Sequence, residues 1–425
     1  MSDPIPAQMR LDNAANIYPA SMSRRYTSLY RISLSLKEPV DPAALQQALA
    51  RVSERIPTFR CGLKAGWFWW YLHRLPHPPR VLPLKPLGRF RLIDQSGFLY
   101  RVSAVENHVI LDVFHALADG FGAFSFLLTL VAEYLRIQYG ITVPDDHLIL
   151  DPSAPPQMKE VEDSFKTVFS GRTGRLEQNV KAYHLRGEAM AFGTVKDLRL
   201  VLPKEKVLAA CAQFGCTVTD LIVSAMICAL QEEHKADPNP RRRSVLKVSV
   251  PVNLRPLYGS RTVRNFSSYV NLGIDVKDGY LPFEQIVKRV HAQKEWELQP
   301  RNLEPKIARN VELEESRLVK MLPLFIKHPT IDIINRLHGD VFCSQTLSNL
   351  GSVKLPQEMS EYVQDIDFAL GRQRGNSGAC SCLGYQDKLY LHFTRKIARD
   401  NFEQAFLKVM DSLDISYTQT LTGLA

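Results

Sequence analysis

The chain lacks any apolar run long enough to cross a membrane. Its longest, Thr219 to Leu230 and Phe121 to Val131, reach about a dozen residues where roughly 20 are needed, and both read as buried helices. The N-terminus lacks the basic start and apolar core of a secretory leader and carries Asp3 and Asp12 instead, so a cytoplasmic protein is expected. Cysteine is scarce and odd in number, seven in all at positions 61, 211, 216, 228, 343, 380 and 382, which excludes a disulfide scaffold and predicts reduced thiols packed among apolar side chains. The one close pair, Cys380 and Cys382, has a single spacer in an alternating pattern, short of the two to four of a zinc knuckle, so no metal site is expected. There is no GxxxxGK[ST], GxSxG or HExxH, and no GxGxxG after a strand, which removes nucleotide triphosphatases, typical serine esterases, zincins and Rossmann enzymes. No repeat of 20–50 residues suggests a solenoid or propeller.

What is present is an ordinary globular composition, 45% hydrophobic and 23% charged over 425 residues, enough for two or three domains. Lys plus Arg outnumber Asp plus Glu by 53 to 44, a formal charge of +9. The excess is spread along the chain, with 16 basic and 12 acidic residues in the first 150, and no basic tail exists. Such a distribution argues against nucleic acid as a partner and suits a small polyanion. The densest cluster, Arg241, Arg242 and Arg243, follows the turn-like Asp237-Pro238-Asn239-Pro240 and reads either as a solvated loop or as a phosphate clamp.

Periodicity gives alternating strands and helices. Tyr26 to Leu36 alternates as a strand, and Asp41-Pro42 then opens an amphipathic helix through Arg55. Arg89 to Ile93, Phe98 to Val105 and His108 to His115 read as a meander, followed by a helix from Phe121 to Tyr139. The aromatic run Trp67 to Tyr71 fits a covered strand best, with an acyl pocket or a membrane contact as the other readings. Residues 143–157, with prolines at 144, 152, 155 and 156, mark a linker. Beyond a stretch at 159–190 that reads as helical or irregular, a second series follows: strand 196–202, helices 204–214 and 217–234, strands 245–252 and 267–276, helices 282–299 and 305–326, strands near 343–348, 362–370, 376–384 and 388–394, and a closing helix 398–413. The expected division is an N-terminal lobe of residues 1–158, a connection of 159–195 and a C-terminal lobe of 196–425, in an α+β class.

Among residues that carry chemistry, His115-Ala116-Leu117-Ala118-Asp119-Gly120 stands out. It lies where a strand turns into a helix, a position that holds a side chain at the rim of a cleft. With 11 His and 22 Gly in the chain, HxxxDG would arise by chance only about 0.03 times. Histidine titrates near neutrality and suits proton transfer once its tautomer is fixed. His147, His184, His291 and His328 carry no such context and read as surface or packing residues.

HALADG in this setting resembles the HxxxDG motif of the chloramphenicol-acetyltransferase-like superfamily, which includes peptide-synthetase condensation domains, BAHD acyltransferases, wax-ester synthases and alcohol O-acetyltransferases. Residues 250–273 (VPVNLRPLYGSRTVRNFSSYVNLG) are similar to the superfamily's strand–loop–strand, whose arginine pairs with the motif aspartate. Thr346 to Gly351 (TLSNLG) resembles the SN-G segment by its channel, and SCLGYQDKLYLHFT the closing hairpin. Phe114 stands where condensation domains and wax-ester synthases usually have a second histidine, and DFGWG of the BAHD group is absent, which points to the alcohol-acetyltransferase branch.

The resemblance implies two lobes, each a mixed sheet packed with helices, with a substrate channel between them. It makes His115 the general base for attack of an acceptor on a thioester, with no acyl-enzyme and no bound cofactor. Asp119, Gly120 and Arg255 become structural parts of the active site, Ser348 and Asn349 the candidates for the oxyanion or channel contact, and Arg241, Arg242 and Arg243 the candidates for a phosphate of coenzyme A. The expected reaction is transfer of an acyl group from acyl-CoA to a small alcohol, forming an ester. An enzyme drawing on an acyl carrier protein to form an amide from an amine is the alternative within the fold, and a non-catalytic ligand-binding protein the alternative outside it.

Overall fold

The computed structural model describes the chain apart from residues 1–4, 23–26, 88–95, 175–179, 191–195, 240, 339, 372–375 and 424–425. The expected strand Arg89 to Ile93 and the start of the first strand at Tyr26 lie outside the described residues. Alternation after Ser28 builds the strand Leu29–Leu36, and the Asp41 carboxylate accepts the Ala43 N–H at 2.8 Å to cap the helix Pro42–Arg55, whose Leu45, Ala48, Leu49 and Val52 turn inward. A four-stranded antiparallel sheet runs in the order Val363–Leu370, Leu29–Leu36, His108–Phe114, Tyr100–Val105. The helix Gly120–Tyr139 lies beside Pro42–Arg55 in the same core. By length and composition its 20 residues are enough to cross a membrane, more than its longest uninterrupted apolar run suggests, yet most of it is buried inside the protein.

A seven-stranded sheet forms the second half, ordered Thr418–Gly423, Lys196–Pro203, Lys388–Arg395, Gly378–Tyr385, Gln345–Val353, Val245–Asn253, Ser267–Asp275, with Gln345–Val353 parallel to both its neighbours and the remaining pairs antiparallel. Helices Lys204–Phe214, Val218–Ala236, Phe283–Glu297 and Asn401–Ser412 contribute to its core. A third, antiparallel sheet runs Gln8–Arg10, Trp70–Arg74, Cys61–Ala65, and the mixed α+β arrangement of these sheets with their helices is the class expected from the element pattern.

Four local expectations need correction. The strand Val363–Leu370 pairs with Leu29–Leu36 and so belongs to the first sheet, while still packing against the second: Arg199 there reaches its Asp367 at 3.0 Å, and Ser381 donates to the Phe368 carbonyl. The single helix expected over 305–326 is three pieces, Pro300–Glu315, Arg317–Met321 and Leu324–His338, because the Ser316 hydroxyl caps a new start by accepting the Val319 N–H and Pro323 interrupts the next. The aromatic run 67–71 is no covered strand: it straddles the turn between Cys61–Ala65 and Trp70–Arg74, leaving Trp67 84% exposed. Residues 143–157 are laid against the helix Gly120–Tyr139, where Ser125 donates to the Leu148 carbonyl, Thr129 accepts the Leu150 N–H and Ile149 is buried.

Candidate active site

The strand His108–Phe114 ends by handing the chain to a tight turn. The His115 N–H donates to Ser28 O at 3.1 Å, and the Tyr30 hydroxyl, one strand over, hydrogen-bonds the carbonyls of Ala118 and Asp119 at 2.9 and 3.0 Å. Asp119 then caps the helix Gly120–Tyr139 by accepting the Gly122 N–H at 3.0 Å. Gly122 is obligatory by contact: a Cβ there would lie 1.9 Å from the Val263 carbonyl oxygen. Gly120 faces Leu350, which brings the Thr346–Gly351 segment against the same turn.

Across from the turn, the chain leaving Val245–Asn253 folds back at residues 254–266. Arg255 is buried and uses all five of its N–H donors. Its Nη1 and Nη2 grip Asp119 Oδ2 and Oδ1 at 2.9 and 3.0 Å, Nη1 also reaches Asn253 Oδ1, Nε reaches Thr262 O at 2.7 Å, and Nη2 reaches Arg264 O. The guanidinium also sits 4.5 Å over the Phe121 ring. Asp119 Oδ2 accepts the Phe266 N–H at 2.9 Å as well, so one carboxylate fastens the helix start to the 254–266 loop.

That loop presents Asn265 to the histidine. His115 Nδ1 and Asn265 Oδ1 are 3.1 Å apart, and the Asn265 amide nitrogen donates to Asp12 Oδ2 at 3.3 Å. Because the Asn265 NH₂ is taken by a carboxyl, its oxygen faces His115 and must accept from Nδ1–H. The proton therefore resides on Nδ1, and Nε2 is the basic nitrogen. Asp12 is fully buried, accepts the Ala15 N–H at 2.8 Å and has the Arg264 Nε at 3.7 Å. Burial pushes its carboxyl up to about 7 against the pull of Arg264, and either protonation form keeps a lone pair for the Asn265 amide. Tyr18 stacks on the imidazole with ring centroids 4.3 Å apart, and Tyr30 meets it edge-on at 5.2 Å.

Burial lowers the His115 pKa below its usual 6.5, with Asp119 and Asn265 opposing the shift. A base that stays neutral below 6.5 sets a testable sign: the acid limb of log kcat/KM for any reaction using Nε2 should fall below pH 6.5. Asn265→Ala should cut the rate about tenfold or more, a part of the 10²–10⁴ that a positioned base supplies, with the limb itself retained. A limb above 6.5 would contradict the assignment.

The structure thus brings His115, Asp119, Gly120 and Arg255 into one site. Ser348 and Asn349 sit on the strand whose Leu350 touches Gly120, but Asn349 is committed elsewhere: its amide donates to Thr219 Oγ1 at 3.0 Å and its oxygen accepts the Gly351 N–H at 2.8 Å. Ser348, next to it on the same strand, is half-buried. The arginine triplet is separated from the histidine by the length of the strand Val245–Asn253, about 30 Å at ~3.3 Å per residue, with Arg242 and Arg243 bonded to the carbonyls of Asn239 and Ala182. Asp12, Tyr18 and Asn265 were not singled out by sequence; only Asn265 lay within a stretch marked for its resemblance. Among the described residues no cluster of His, Cys, Asp and Glu is arranged to hold a metal, and Cys380 and Cys382 are buried in the second sheet. A cavity of about 330 Å³ lined by His77, Arg80, Phe98 and Tyr100 shares no residue with this site.

No family model and no curated protein matches the chain. Solved structures do. F. graminearum TRI101 complexed with coenzyme A and deoxynivalenol aligns with a TM-score of 0.64 at 11% identity, covering 96% of this chain and 99% of that one. TRI3 trichothecene 15-O-acetyltransferase from Fusarium sporotrichioides aligns with a TM-score of 0.61 at 12% identity over 96% and 95%. The first condensation domain of the CDA synthetase gives 0.62 at 14% identity over 97% and 99%. End-to-end coverage by both kinds of protein gives the chain the two-lobed fold of the condensation-domain and chloramphenicol-acetyltransferase-like acyltransferases.

Proposed function

We propose that the protein is an acyltransferase that moves an acyl group from acyl-CoA to a hydroxyl acceptor, with His115 as general base. The observation that carries this reading is the Asp12–Asn265–His115 chain, which fixes the tautomer leaving Nε2 free to accept a proton. In the reaction, the acceptor O–H gives its proton to Nε2 as its oxygen attacks the thioester carbonyl. The tetrahedral intermediate collapses with loss of the thiolate, which takes the proton back from the imidazolium and leaves as free thiol. Atoms and charge balance without a covalent enzyme intermediate. Ser348 is the candidate donor to the oxyanion, worth about 3–4 kcal/mol where such a donor acts. Arg255 and Asp119 hold the 254–266 loop, and with it Asn265, in place.

An ester product from a CoA donor is favoured by two structural neighbours, one a trichothecene 15-O-acetyltransferase and one solved with coenzyme A. The condensation-domain neighbour keeps the carrier-protein donor as the second reading. We place the reaction in the cytoplasm as part of this proposal. The test is thiol release from acyl-CoAs of increasing chain length, with alcohols and amines offered separately. Release that depends on an alcohol is the expected result. Release only from an acyl-loaded carrier protein moves the donor, and release with amines alone moves the product to an amide.

A further inference from the structure

Exposed apolar side chains scattered singly are ordinary, whereas a contiguous group is not. One such group forms where the turn Gly66–Trp69 meets the start of the helix Leu324–His338. The Leu324 N–H donates to Trp67 O at 2.8 Å, and Lys327 donates to Phe68 O at 2.9 Å while its ammonium lies 3.4 Å over the Trp69 ring, which Arg10 covers at 3.3 Å. Trp69 is therefore held between two cations, and the tip is welded to the helix. Outward from this joint stand Trp67, Leu318, Met321 and Phe325, exposed by 84%, 81%, 75% and 74%.

The segments that carry the patch hold charge of one sign, the next acid along the helix being Asp332. Arg317 and Lys320 are exposed beside Leu318 and Met321, and neither residues 316–331 nor residues 61–74 contain an Asp or Glu. The glutamates just before are turned to other partners, Glu312 to Arg309, Glu314 to Arg10 and Glu315 to Ser170. Leu, Met and Phe presented outward with Arg and Lys at their side, and a Trp at the tip, is the pattern of a segment that lies in the interface of an anionic bilayer.

We infer that this face, Trp67 with Leu318, Met321 and Phe325 ringed by Arg317 and Lys320, docks on an anionic lipid surface. The geometry ties that surface to the site. The helix Leu324–His338 contacts Ile17–Ser21 through His328 Nε2, 3.0 Å from Pro19 O, and Tyr18 of that segment stacks on His115. Bilayer docking thus sets one end of the catalytic architecture against lipid, where apolar substrates concentrate. The docking stands without the acyl-transfer reading, and its test needs no activity.

The full chain is sedimented with vesicles of phosphatidylcholine alone and with vesicles containing one quarter phosphatidylglycerol. Binding to the anionic vesicles, weakened by salt, is expected. Arg317→Glu with Lys320→Glu should weaken it by about 5-fold or more for each cation removed, and Trp67→Ser with Phe325→Ser by about tenfold or more. Because all four side chains are exposed, thermal melts of the variants should match wild type. Absence of binding, equal binding to both vesicle types, or binding unmoved by both double variants overturns the inference. So does a concentration-dependent dimer that Trp67→Ser dissolves, since a second copy would then be the occupant.

Discussion

His115→Ala should lower the acyl-transfer rate by about 10²- to 10⁴-fold, the share that a positioned general base supplies, while substrates still bind. The remaining rate would come from holding both reactants together. The substitution leaves Asn265 Oδ1 without its partner in a buried setting, which costs about 1–3 kcal/mol, so the variant should fold but melt somewhat lower. His115→Gln offers Asn265 an amide donor and separates the two effects, since it should recover stability and not rate. A linkage check points the same way. The folded pKa of His115 lies below its unfolded value, so the histidine's contribution to stability is present above about 6.5 and lost as pH falls toward the depressed value. In the alanine variant that component of acid sensitivity should vanish. An alanine variant retaining most of the transfer rate would sink the general-base assignment whatever its stability.

How much of this was legible depended on distance along the chain. The turn that carries His115 is local: strand, HALADG and helix occupy consecutive residues, and the capping aspartate and the glycines announce themselves by type. The relay is not local. Asp12 and Asn265 lie 253 positions apart, and neither belongs to a periodic pattern, so only the fold brings them to one imidazole. Alternation at 363–370 correctly signalled a strand, but pattern says nothing about which sheet a strand joins; its partners are Ser33, Leu34 and Ser35, more than 300 residues earlier. The aromatic run misled because Trp, Phe and Tyr favour strands by type, whereas Gly66 dictates a turn there: a Cβ at that position would meet the Tyr71 ring at 2.6 Å. The break at Ser316 was hidden by apolar residues that keep helical spacing on both sides of it.

Removing either partner of the Asp119–Arg255 pair should cost about 3–5 kcal/mol, because each would leave the other charge buried and uncompensated. At the few degrees per kcal/mol typical of large domains this is a fall in melting temperature on the order of 10 °C. The two single variants differ in what they leave behind. Arg255→Ala leaves Asp119 still holding the N–H groups of Gly122 and Phe266 but frees the carbonyls of Thr262 and Arg264, so the 254–266 loop loosens at its middle. Asp119→Ala strands a guanidinium and also uncaps the helix Gly120–Tyr139, so it should be the more damaging. Arg255→Lys should rescue little, since an ammonium has three donors where the native geometry uses five, in a plane. The double variant Asp119→Ala with Arg255→Ala should destabilise by less than the sum of the singles, a coupling measurable by a thermodynamic cycle. Rate should fall too, even at temperatures where each variant is folded, because Phe266 is fixed by Asp119 and its neighbour Asn265 sets the His115 tautomer. That loss should appear in kcat more than in KM. Normal melting and normal kcat in Asp119→Ala would mean that the loop is held by its apolar contacts alone, among Leu254, Phe266, Phe165 and Ile307, and that the carboxylate does not position the base.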